Sequence, residues 1–167
     1  MSKLIVVFLS LFIGIISLAK DSYLNIDADL FESRDKQNKL YFEGNVRLTK
    51  NKDLLTSKKL VINTKPSKNN PEKKVPKDYI ATGDVNFTVH TKENNILKGS
   101  GDKVYYYPDE QKYLIVGNGY LEDLKEDKKI RADKIYIDEK TGYTKIDGKK
   151  NKPAKFSIKL EDTKEEK

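Results

Sequence analysis

The chain has 167 residues, enough for one domain, and no cysteine, which excludes disulfides and a cysteine-linked lipid anchor. Lys and Arg number 33 against 26 Asp and Glu, a formal charge of +7. The two signs are interspersed, which suits solvated sheet faces and edges better than a nucleic-acid footprint.

The first predicted element is an export signal. Lys3 precedes an apolar run over residues 4–19, which ends in the small residues Ser17 and Ala19 before the charged Lys20. A membrane-crossing helix needs about 20 apolar residues, so the run reads as a cleaved signal peptide, residues 1–19, with an uncleaved anchor as the alternative. The domain then covers residues 20–160. Its apolar content comes largely from Tyr, Val, Ile and Phe, while Ala and Met are scarce. That balance favours strands with one wet face over helices.

The strands announce themselves by alternation. Leu40, Phe42, Gly44, Val46 and Leu48 form one set; Tyr79, Ala81, Gly83, Val85 and Phe87 form a second; Tyr113, Ile115, Gly117, Gly119 and Leu121 form a third. A period of two puts each set on one face of a strand. Between them stand Leu60 and Ile62, Val104 and Tyr106, and Ile135 and Ile137, each two and four residues beyond a recurring site at Lys58, Asp102 and Asp133. The alternation slips by one near these sites, which predicts a bulge or corner. Asp29, Asp102 and Asp133 precede Gly44, Gly117 and Gly148 by 15 residues each. Lys58 precedes Gly83 by 25, the same spacing with ten residues inserted. The chain therefore reads as four two-strand repeats. The insertion carries Pro66, Pro71 and Pro76 in a Lys- and Asn-rich stretch, and a long external loop rather than strand is expected there. Residues 154–160 alternate again and read as a last edge strand, and residues 161–167 as a disordered tail. No capped amphipathic helix intervenes, so the class is all-β, and hairpins with one apolar face must close as a sandwich, roll or barrel.

The chemistry-bearing residues are few. His90 has no ligand partners in its neighbourhood of sequence, so no metal site, cofactor or Ser-His catalysis is expected. Asp29, Asp102 and Asp133 recur at one position of the repeat, which points to a structural role, accepting backbone hydrogen bonds at a corner, and away from paired catalytic acids. Gly99, Ser100 and Gly101 lack the Lys-Ser/Thr ending of a phosphate loop. Tyr105, Tyr106 and Tyr107 suggest a base-stacking platform only superficially, since alternation assigns Tyr106 to the core. The chain is not expected to be an enzyme or to bind nucleic acid.

The segments Ile26-Asp27-Ala28-Asp29, Phe42-Glu43-Gly44-Asn45-Val46, Ala81-Thr82-Gly83-Asp84-Val85, Gly101-Asp102-Lys103-Val104 and Ala132-Asp133-Lys134-Ile135 resemble the OstA-like (LptA) family. The resemblance spans about residues 24–156 and departs from the family pattern at the Pro-rich insertion. It implies an open β-jellyroll, an incomplete roll with an apolar interior groove. It also implies lipopolysaccharide transport in the periplasm, with lipid A acyl chains in the groove. End-to-end self-association and contacts with inner-membrane LptC-like and outer-membrane LptD-like components are implied as well. The inward-facing Phe42, Val46, Leu48, Val85, Phe87, Ile115, Leu121 and Ile137 become the candidate groove lining. A sealed core built from the same residues is the plainer alternative. Two other readings remain: an anchored LptC-like component, and a periplasmic structural module that binds no lipid.

Overall fold

A computed structural model of the protein describes residues 23–91 and 94–160; the expected signal segment and tail lie outside them. The alternating segments form ten strands: β1 (Leu24–Asp27), β2 (Leu30–Arg34), β3 (Lys39–Lys50), β4 (Asp53–Pro66), β5 (Lys74–His90), β6 (Ile96–Tyr107), β7 (Lys112–Asp123), β8 (Lys128–Asp138), β9 (Tyr143–Asp147) and β10 (Lys155–Ile158). All pairings are antiparallel, and β3 to β8 run as consecutive hairpins. Left-handed Asn51, Asn94, Gln111 and Asp127 serve the hairpin turns, and Gln111 N–H donates to the Pro108 carbonyl at 3.3 Å. The sheet does not close. One edge is β1 followed by β2, both paired to β3; the other is β10 and β9, both paired to β8.

Every long strand is interrupted at its middle. Register shifts fall at Glu43/Val46, Thr56/Lys59, Thr82/Val85, Ser100/Lys103 and Val116/Gly119, so the bulges line up across the sheet. The cause is local. Gly44 and Asn45, Gly83 and Asp84, and Gly117 and Asn118 are consecutive residues with positive φ. Glycine takes the first of each pair without steric cost, and Asn or Asp tolerates the second. The row of bulges divides the sheet into two halves whose inner faces meet, an open β-jellyroll.

Cross-strand rows carry the apolar face. In one half, Phe31, Phe42, Leu60, Ala81, Val104, Ile115, Ile135 and Ile146 stand opposite one another in turn. In the other, the row runs Ile26, Leu48, Leu55, Phe87, Gly99, Leu121, Ile130 and Phe156. The middle members of the first row, with Leu121 and Ile130 of the second, belong to the core, and Leu60, Ile115 and Ile135 are fully buried.

Three expectations change. The insertion is not one long loop. Pro66 pairs with Lys74 and Pro76 with Thr64, so β4 and β5 extend as a hairpin and only residues 67–73 turn. The prolines are tolerated because β6 stops pairing with β5 at Tyr79 and β3 stops pairing with β4 at Asn63, leaving one side of each extension without a ladder to interrupt. The acids at the corners accept from side chains: Asn45 Nδ2 donates to Asp29 at 2.8 Å and Asn118 Nδ2 to Asp102 at 3.1 Å. The last spacing match also differs. Gly148 lies past the end of β9 without positive φ, and Asp133 instead meets Lys149 Nζ at 2.8 Å.

Candidate functional site

Where the two halves diverge, the inner faces leave a cleft of ≈ 210 Å³. One wall is Leu60, Tyr79, Val104, Tyr106, Pro108 and Tyr113; the other is Leu24, Leu48, Leu54, Leu55, Phe87 and Val89. Lys50 and Asp53 are its charged members. This volume is below the 300–1,000 Å³ typical of pockets that enclose a drug-sized ligand.

Two local features shape the walls. Tyr79, Tyr106 and Tyr113 are cross-strand neighbours on β5, β6 and β7, with ring centroids 5.9 Å and 4.4 Å apart. Burial pushes all three phenols above their ordinary value, most strongly at Tyr113, which also hydrogen-bonds Tyr106. The stack stays neutral and presents an apolar wall with hydroxyl tips. Opposite it, the Phe87 ring lies over Gly99. A Cβ at Gly99 would sit 2.1 Å from the ring, so glycine there is what lets Phe87 lie flat.

The sequence-derived lining divides in two. Phe42, Val46, Val85, Ile115 and Leu121 are buried at 8 % exposure or less and pack as core. Leu48, Phe87 and Ile137 are partly buried against that core, and of these Leu48 and Phe87 face the cleft. The cleft also takes in residues outside the expected lining, among them Leu24, Leu54, Leu55, Leu60, Val89, Val104 and the tyrosine stack. Tyr79, Tyr106 and Tyr113 were already on the inward face by alternation; only their distance from the crease, which the period does not reveal, distinguishes them from Ile115.

The other chemistry-bearing residues are dispersed. His90 meets Asp53 twice: its backbone N–H donates to Asp53 Oδ1 at 2.7 Å, and its ring Nδ1 lies 3.2 Å from the same atom. No group of three or more metal-ligating side chains occurs among the described residues. Asp102 on β6 and Asp133 on β8 are separated by β7, hence by roughly 9–10 Å of sheet, and Asp29 lies at the far edge. Among the described residues no helix is long and apolar enough to cross a membrane.

A sequence profile of the LptA/(LptD N-terminal domain) LPS transport protein family matches residues 25–143. Among solved structures, the chain resembles the crystal structure of LptH, the LptA homologous periplasmic component of the lipopolysaccharide transport device from Pseudomonas aeruginosa. The TM-score is 0.64 at 15% identity, over 83% of this chain and 95% of that one, a likeness that shows the fold. No curated protein sequence matches. With the profile spanning most of the chain and the bent open sheet found in the structure, the chain belongs to the LptA/(LptD N-terminal domain) family of LPS transport proteins.

Proposed function

We propose that this protein acts in the periplasm, shields lipid A acyl chains in the cleft between its two half-sheets, and joins similar domains end to end between the inner and outer membranes. The observation that carries the proposal is an apolar cleft, walled by Phe87, Leu48 and Leu55 on one side and the tyrosine stack on the other, in a sheet whose edges are open. Burying one methylene is worth about 0.8 kcal/mol, so a dozen-carbon chain exposed to water costs roughly 10 kcal/mol. An apolar trough removes that cost without chemistry. In this proposal, partners of LptC-like and LptD-like type at the two membranes drive and receive the lipid.

The edges support the bridging half of the proposal. Nine large apolar side chains are exposed among the described residues. Tyr23, Leu24, Leu30 and Phe31 mark the β1–β2 edge, Tyr143, Phe156, Ile158 and Leu160 mark the β9–β10 edge, and Leu124 alone lies elsewhere. Open ladders flanked by apolar side chains are templates for strand addition.

The test is photo-crosslinking in cells, with a benzophenone side chain placed at Leu55, Phe87 or Tyr106. Each is expected to label lipopolysaccharide, whereas the outward-facing Tyr105 position is expected to stay unlabelled. Labelling from none of the three cleft positions would sink the shielding role.

A further inference from the structure

A second concavity, ≈ 470 Å³, lies between the loop joining β9 to β10 and residues 131–133 of β8. Its polar side chains are Asn118, Arg131, Asp133, Lys149, Lys152 and Lys155, together with Asn151 at its margin. Four cations and one carboxylate thus line it, and a second carboxylate, Asp102, adjoins it through Asn118. Asp133 is matched by Lys149 at 2.8 Å, and Lys152 Nζ donates to Asn118 Oδ1 at 3.2 Å. Arg131 and Lys155 have no carboxylate within ion-pair distance among the described residues, and they stand directly opposite each other in the β8–β10 ladder. Like charges so placed destabilise the pair of strands that holds them. The Arg131 guanidinium carbon lies over the Tyr120 ring, 4.7 Å from its centroid, and among the described residues no side chain takes its donors.

An anion between the two strands would turn this repulsion into attraction. We propose that the pocket binds a phosphomonoester, with the Arg131 fork and the Lys155 ammonium as its principal donors and Lys152 closing over it from the loop side. A tetrahedral dianion offers acceptors to a planar fork and to two ammonium groups at once, which a single carboxylate does less well. The phosphate has two possible sources, a sugar phosphate of a glycolipid headgroup or free phosphate. The first rests on the lipid reading above; the second does not.

The experiment is titration of the isotope-labelled protein, followed by amide chemical shifts, with inorganic phosphate, glucose 1-phosphate and glucose. Saturable shifts at Asn118, Arg131, Lys152 and Lys155 are expected with both phosphates and none with glucose. Arg131→Gln/Lys155→Gln, at exposed positions, should weaken binding about tenfold or more while leaving the spectrum otherwise folded. Lys68→Gln/Lys73→Gln removes the same charge from the distant β4–β5 turn and should leave binding unchanged. Glucose 1-phosphate about tenfold tighter than phosphate assigns the site to a sugar phosphate; equal affinities assign it to phosphate itself. No saturable shift, or equal weakening by the Lys68/Lys73 pair, overturns the proposal. A fluorescent fatty acid added to the same samples keeps the two readings apart: phosphate binding without acyl binding removes only the trough, and the converse removes only this site.

Discussion

At the scale of single residues, the crease depends on backbone positions that almost only glycine can hold. Gly117 has φ +76, and a Cβ there would meet Asp102 Oδ2 at 2.3 Å. Gly142 has a similar φ of +70 with open space around it. The two positions separate backbone strain from collision. Gly142→Ala should cost about 1 kcal/mol, the left-handed penalty alone. Gly117→Ala adds displacement of a carboxylate held by Asn118, and about 2–3 kcal/mol is expected. Urea unfolding of both variants checks this, and equal losses would show that Asp102 simply swings aside. Gly44 and Gly117 were legible in the sequence because each stands 15 residues after an acid and precedes Asn, and Gly83 because it repeats the pattern 25 residues after Lys58 and before Asp84. The depth of each apolar residue was not. Tyr113 and Ile115 share a strand face, yet one is a cleft wall and the other is sealed, since what differs is distance from the crease rather than period.

At the scale of elements, alternation located most of the long strands, and the slip in alternation located the bulges. It failed at the insertion, where proline was read as a strand breaker. Proline removes one donor, and that loss matters only where a neighbouring strand waits to receive it. Pro76 has β4 as its neighbour and no paired residue of β6 beside it, whereas Ile80 pairs with Val61 on one side and Tyr105 on the other. Sequence shows the proline but not how far the next strand reaches. The contrast is testable within one strand. Pro76→Val should change stability by no more than about 0.5 kcal/mol. Ile80→Pro should cost about 3 kcal/mol or more, with loss of the folded circular-dichroism signal on mild heating. A large loss at Pro76 would show that the extended hairpin depends on the rigid ring rather than merely permitting it.

At the scale of the whole molecule, the open sheet makes its two edges chemically different surfaces. The β1–β2 edge and the β9–β10 edge are not copies of each other, so the proposed contact between them would be head-to-tail and would leave a free edge at each end of an assembly. A face-to-face dimer of identical edges would instead close. Blocking one edge at a time distinguishes these. Phe156→Asp/Ile158→Asp places charge on β10, and Leu24→Asp/Leu30→Asp places it on the opposite edge; all four side chains are exposed, so the fold should persist. Wild-type protein should grow in size with concentration by light scattering, and either variant alone should remain monomeric. Mixed in equal amounts, the two should form a dimer and stop there, because each retains the edge that the other lacks. Monomers in the mixture would exclude edge-to-edge joining, and a dimer of either variant alone would mean that like edges pair. Under the second outcome head-to-tail joining would be excluded, and a bridge could grow only if both edges paired like to like in alternation.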